Sequence, residues 1–399
     1  MKHIKHFPKG FIKLTLADFI VRSAYQVGKT PLLPIFAAAL GASDVFLGVI
    51  VSVSTFTGMI LKPLIGFLSD RWGRRLWLIA GTVVFTLMPF LYWMIETPQH
   101  LFWIRLIHGL ATAIYGPVTV AYIAEHSKKR LAEHLGWFGM AREGGYIVGP
   151  ALAGFLLLVW SPQMVFTLIG ILSTIAFIPI LSLPEPKMPE KLQASFNGPD
   201  FFRALKQSSI WLSGGLEFSN YVVLYALKAF LPIYALAAGF NVAVVGSFFA
   251  VQEIAHITLK PITGRLGDRL GYLTVISLGM MLLSISVYGA THAKSLLMFF
   301  GSAAIAGIAQ ALIFSCNVAL VARHVSKDYL GFSLGLEGSL ANAGKVAGPV
   351  LAGFLIGKLD YSMTFSVLSS GLLALALLLF VSSLIQSKQR ADIATSGTD

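Results

Sequence analysis

The chain has 399 residues and one cysteine, Cys316. One thiol excludes an intramolecular disulfide and a metal site built on several thiolates. Charge is also scarce. Asp, Glu, Lys and Arg make up 12% of the residues, about half the usual share of a soluble domain. There is no Walker A loop, so ATP is not expected as an energy source. The histidines lack metal-ligand spacing, and no serine–histidine–acid set is suggested. No metal or cofactor is expected, and the protein is not expected to be an enzyme. Strict apolar–polar alternation over ten-residue stretches is missing too, which excludes a β-barrel.

Long apolar runs are abundant instead. Hydrophobic residues form 56% of the chain, and the mean hydropathy is +0.76. Twelve apolar spans are expected, near 14–39, 44–67, 76–95, 100–123, 135–158, 163–183, 210–238, 242–265, 272–291, 295–320, 330–357 and 362–385. Each approaches or exceeds the ~20 residues that cross a ~30 Å hydrocarbon core as a helix. The basic start MKHIKHFPKG has no small-residue cleavage site after its apolar stretch, so the first span is read as retained.

The net charge of +12 is placed by topology. With the N-terminus inside, 20 of the 30 Lys and Arg residues fall in cytoplasmic segments, and only Lys294 and Lys358 fall outside. This is the positive-inside pattern. It puts both termini in the cytoplasm of a multi-pass protein of the cell inner membrane. Membrane lipids are the expected partner of these loops, and nucleic acid is not.

Two phrases recur. LKPLIGFLSDRWG (Leu61–Gly73) returns as LKPITGRLGDRLG (Leu259–Gly271), and GYIVGPALAGFLL (Gly145–Leu157) returns as GKVAGPVLAGFLI (Gly344–Ile356). The offsets are 198 and 199 positions, which indicates a duplicated half. Residues 1–182 are read as an N-terminal six-helix bundle and 210–399 as a C-terminal one. The stretch 183–209 is read as a cytoplasmic linker, with FFRALKQ as a short surface helix. An even number of spans per half sets the pseudo-two-fold axis along the membrane normal.

The loop GFLSDRWGRR (Gly66–Arg75) fits G-x3-D-R-x-G-R-R. In this, and in span count, linker and repeat, the chain resembles the major facilitator superfamily. The resemblance implies an all-α membrane protein with twelve transmembrane helices in two pseudo-symmetric six-helix bundles, the major facilitator fold. In that family the loop latches the halves, which makes Gly66, Asp70, Arg71, Gly73, Arg74 and Arg75 gating candidates. The second copy keeps Gly264, Asp268, Arg269 and Gly271, with Tyr272 where Arg74 would be. Lys62 and Lys260 precede each Asp by eight residues and either snorkel to the surface or take part in gating.

Span five carries Gly136, Gly145, Gly149, Pro150 and Gly154, and span eleven repeats the series as Gly335, Gly344, Gly348, Pro349 and Gly353. Such small residues let helices approach closely. The series resembles the antiporter signature of the 12-span drug:proton antiporter group, except that Ala153 replaces one glycine.

Charges within spans carry a cost and are functional candidates. The first span places Asp18, Arg22, Gln26 and Lys29 on one face, and the seventh places Glu217, Asn220, Tyr221 and Lys228 similarly. Span four adds Arg105, His108 and Tyr115, and span eight adds Glu253 and His256. Arg142 and Glu143 in span five, with Glu337 and Lys345 in span eleven, complete the set. Asp18, Glu217, Glu253, Glu143 and Glu337 are proton-carrier candidates, with Arg105 and His108 beside them. Arg105 matches the arginine that the resembled family links to proton coupling. Arg22, Gln26, Lys29, Tyr115, Arg142, Asn220, Tyr221, Lys228 and His256 are candidates to line a substrate cavity. Away from the surface lysines, bases and acids in the spans nearly balance, which argues against a pump for lipophilic cations alone.

The expected function is secondary transport by alternating access, with protons and a small molecule as partners and the monomer as the working unit. Proton-coupled export of a small amphipathic compound is the first reading. Proton-coupled uptake of an organic solute is the alternative, and a non-transporting sensor or scaffold is the third.

Overall fold

The computed structural model describes residues 7–127, 130–184, 208–324 and 330–396. Nearly all of the expected linker, including FFRALKQ, lies outside the described residues.

The described residues are all-α. The first half contains α1 (Phe11–Val27), α2 (Leu32–Ala39), α3 (Asp44–Trp72), α4 (Arg74–Leu87), α5 (Pro98–His126), α6 (Leu131–Leu156), α7 (Pro162–Thr174) and α8 (Phe177–Leu181). The second half contains α9 (Ser208–Ala237), α10 (Val242–Leu270), α11 (Tyr272–Thr291), α12 (Leu296–His324), α13 (Leu330–Ile356) and α14 (Tyr361–Ser396).

Ten helical stretches among the described residues are long and apolar enough to cross a membrane. The other two expected spans depart for physical reasons. Span one is broken into α1 and α2, because Pro31 has no N–H to give and its ring collides with the carbonyl one turn back. Lys29 therefore sits in the break and does not continue the α1 face. Helix α6 has the length, but Arg142, Glu143 and its glycines lower its hydropathy.

Helix starts are set by capping side chains. Ser43, Thr97 and Ser161 accept hydrogen bonds from the backbone N–H of Phe46, His100 and Met164. Asn241, Ser295 and Asp360 do the same for Val244, Met298 and Met363. Exposed Trp72, Trp93, Trp103, Trp137, Trp160 and Trp211 lie within two turns of helix ends, where aromatic rings meet the membrane–water interface.

The helices gather into two compact units. One holds α1–α8 together with Lys228–Ala250 and Pro349–Phe354. The other holds the rest of the second half, Val251–Gly348 and Leu355 onward among its parts. Inside each unit the glycine series has a clear task. A Cβ on Gly149 would meet the backbone of Gln26 and Val27 in α1, and a Cβ on Gly348 would meet the backbone of Val222 in α9. In the first unit, Gly154 touches Gly246 and Val242, and Gly353 touches Asp44 and Val45. Backbone approach of this kind leaves no room for a side chain.

Candidate functional site

In the first unit Asp18 is fully buried. Arg142 clasps its carboxylate in bidentate fashion, with Nε 2.9 Å from Oδ2 and Nη2 2.9 Å from Oδ1. Arg22 adds Nε at 3.4 Å. The same Arg142 Nη2 donates to Thr119 Oγ1 at 3.0 Å. One carboxylate thus ties α1, α5 and α6 together by charge-assisted bonds.

A second polar group lies deeper in this unit. Arg105 is 1% exposed and donates from Nη2 to Ser54 Oγ (2.7 Å) and Tyr25 Oη (3.2 Å). It has no carboxylate within ion-pair distance among the described residues. His108 packs edge-on to Tyr25 and Phe85, and neither ring nitrogen has a protein partner among the described residues. Tyr115 packs inside the first unit. It is fully buried, and its hydroxyl lies 2.6 Å from Thr82 Oγ1, so it braces α4 against α5.

The second unit solves the same positions differently. Glu217 stands where Asp18 stands in the first half, and Asn317 where Thr119 stands. The arginine is gone, since Ala341 matches Arg142. A second acid has appeared, since Glu337 matches Phe138. Glu217 and Glu337 are both buried, and Glu217 lies in the field of Glu337, Asn317 and Lys345. Asn317 Nδ2 donates to Glu337 Oε1 at 2.7 Å. The Lys345 ammonium sits 4.2 Å from the Tyr221 ring centroid. Nearby, Glu253 Oε2 lies 3.2 Å from His256 Nδ1.

A partly open pocket lies beside this cluster, within the second unit. Glu217, Asn220, Tyr221, His256 and Gln310 give it a polar side, and Leu224, Ile313 and Phe314 an apolar one. Glu143 is half-buried on α6, and Gln26 is buried in α1.

At the Asp70 turn, Arg74 pairs with Asp70 and sets its Nε 2.9 Å from Glu125 Oε1. Arg75 donates to the carbonyl of Leu181, and Arg71 lies over the Phe67 ring. In the second copy the Tyr272 hydroxyl reaches Asp268 Oδ1 at 2.6 Å, so the phenol takes the place of the guanidinium. Gly73 and Gly271 have φ of 85° and 89°, a conformation that L side chains rarely adopt, which explains why the turn needs glycine in both copies. Lys62 lies against Gly116, and Lys260 sits 4.4 Å from the Phe314 ring centroid. Gly116 and Phe314 occupy matched positions, so both lysines reach the same place on the neighbouring helix.

The sequence pattern of the Major Facilitator Superfamily matches residues 19–216 and again 214–396. The chain belongs to the Major Facilitator Superfamily. It is therefore a multi-pass membrane transporter, and the two matches fall one on each duplicated half. Among superfamily proteins, an uncharacterized MFS-type transporter of Methanocaldococcus jannaschii is 25% identical over 331 residues, 82% of this chain and 86% of that one. Multidrug resistance protein 1 of Bacillus subtilis is 23% identical over 354 residues, 85% and 88% of the two chains. The crystal structure of the nucleoside transporter NupG aligns with a TM-score of 0.77 at 16% identity, covering 94% of this chain and 99% of that one.

Sequence reasoning missed Glu125, Asn317 and Gln310. Each is a polar residue in or at the end of an apolar span, and that signal was available for all three.

Proposed function

We propose that this superfamily member couples the movement of a small organic solute to protons by alternating access, with Glu217 and Glu337 as the proton-carrying pair. The observation that carries the reading is the contrast between the halves. Asp18 is clasped by two arginines, whereas the matched Glu217 lies in the field of a second buried acid, Glu337, and of one lysine, Lys345, and has alanine in place of the arginine. A proton shared between two buried carboxyls removes their mutual repulsion, and its loss restores it. Such a change in charge biases a bistable bundle without further machinery.

For direction, uptake in symport with protons is taken first. The pocket beside the acid pair is lined by several side chains that demand hydrogen bonds, which suits a defined organic solute better than a loose range of lipophilic ones. The name of the nucleoside transporter supports an organic solute in the same sense. Export in exchange for protons is the second reading. The paired glycine series and the multidrug resistance relative support it. The Asp70 turn acts as a gate in both, in an inner membrane with cytoplasmic termini.

The test uses liposomes carrying purified protein, a pH-sensitive dye inside and a panel of neutral amides, nucleosides and cationic dyes. Acidification with inward solute flow identifies symport, and alkalinisation with inward solute flow identifies exchange. Glu217→Gln is expected to abolish proton movement in either case. Solute-driven proton movement at the wild-type rate in Glu217→Gln and Glu337→Gln would refute the assignment.

A further inference from the structure

Three side chains around the second-unit pocket leave a buried polar atom without a protein partner among the described residues: Asn220 Oδ1, His256 Nε2 and Gln310 Nε2. Each such atom carries a desolvation penalty if nothing satisfies it. One orphan is ordinary, but three around one pocket define a hydrogen-bonding template.

The sense of each atom can be read. Asn220 is 5% exposed, and its Nδ2 donates to the carbonyl of Leu216 at 2.8 Å. That bond fixes the amide, so the atom left over is an acceptor. His256 Nδ1 lies 3.2 Å from Glu253 Oε2, which accepts, so the tautomer with its hydrogen on Nδ1 presents Nε2 as an acceptor. Gln310, in its assigned amide orientation, presents Nε2 as a donor. The pocket therefore asks for N–H hydrogens on one edge of its guest and a carbonyl oxygen beside them. Leu224, Ile313 and Phe314 supply an apolar bed for the rest.

We propose that this pocket is a solute subsite for an uncharged amide edge, N–H next to C=O as in a carboxamide, lactam or ureide, carried on an apolar ring. Asn220, His256 and Gln310 determine that specificity. The inference rests on the transport reading only in taking the guest to be the transported solute. A cation can pair with Glu217 in the same lining but lacks the acceptor that Gln310 needs, and a carboxylate lacks the donors that Asn220 and His256 need and would face Glu217.

The test is equilibrium binding to the full chain in lipid nanodiscs, without any gradient, by ligand-observed NMR with empty nanodiscs as control. Four probes share one ring: benzamide, N,N-dimethylbenzamide, benzoate and benzylamine. Benzamide is expected to bind about tenfold more tightly than each of the others, since unpaired polar groups in the site penalise the mismatched heads. Gln310→Met and Asn220→Leu are expected to weaken benzamide binding by a similar factor. Both should raise the unfolding temperature of the ligand-free protein, because each removes an unpaired buried group. A purely structural role would lower it. Gln310→Glu keeps the size, reverses the hydrogen-bonding sense, and is expected to abolish the preference for benzamide. The proposal is overturned if benzylamine or benzoate binds as tightly as benzamide. It is equally overturned if none of the four binds, which would leave trapped water as the occupant. Because no transport is measured, either failure leaves the proton-pair assignment standing.

Discussion

Asp18 and Glu217 hold matched positions in the duplicated halves and have different surroundings. Replacing Asp18 by Asn leaves Arg22 and Arg142 facing each other without their carboxylate in a buried site. The expected loss is about 3–5 kcal/mol, read as a large fall in unfolding temperature. Glu217→Gln removes a charge that lies in the field of Lys345 and Glu337 rather than in a two-arginine clasp, and should cost less stability than Asp18→Asn while stopping proton movement. The sequence made both acids candidates because a charge in an apolar span always stands out. It did not separate them, because the difference lies in Arg142 against Ala341, more than a hundred residues along the chain. Matching the halves at the repeat offset would have exposed that exchange. Tyr115 shows the opposite limit. Its spacing put it on a polar face, but whether that face meets a cavity or Thr82 is decided by the packing of α4.

At the scale of helices, the glycine series divides into positions that touch backbone and positions that do not. Gly348→Leu forces side-chain atoms into the Val222 backbone, and overpacking by at least about 1–3 kcal/mol is expected. Gly136 meets nothing within 4 Å among the described residues, so Gly136→Ala should be neutral or stabilise the helix by up to about 1 kcal/mol. Thermal unfolding of the two variants checks the division. Ala153 fits the same picture, since it is wholly buried where a glycine was expected and its methyl group is accommodated. The existence of a tight α1–α6 contact was legible from the repeated glycines. The break between α1 and α2 was legible only in hindsight from Pro31, because hydropathy runs unbroken across it. The capping residues were missed as a set. Ser43, Thr97 and Ser161 match Asn241, Ser295 and Asp360 at the repeat offset, so the duplication keeps cap chemistry while changing the residue. Asp360→Ala is expected to cost about 0.5–2 kcal/mol.

For the whole molecule, duplication, helix number and family were readable in the sequence, because apolar length and a recurring charged turn are local signals. The make-up of the compact units was not. Lys228–Ala250 and Pro349–Phe354 join the first unit through contacts such as Gly154 with Gly246 and Gly353 with Asp44, and such contacts leave no local trace. At this scale the proposed gating role of the Asp70 turn is tested by Arg74→Ala, which removes the ion-pair partner of both Asp70 and Glu125. It should slow turnover with little change in solute affinity, whereas Tyr272→Phe should slow it less.

The central claim is that a buried acid pair in the second half carries the proton. The most direct measurement compares wild-type and Glu217→Gln protein in liposomes, following solute exchange at equal pH and solute accumulation under a pH gradient. The expected result is that Glu217→Gln still exchanges solute across the membrane but no longer accumulates or depletes it when a gradient is imposed. Gradient-driven accumulation or depletion at the wild-type level in Glu217→Gln, persisting in the Glu217→Gln, Glu337→Gln double variant, would contradict the claim.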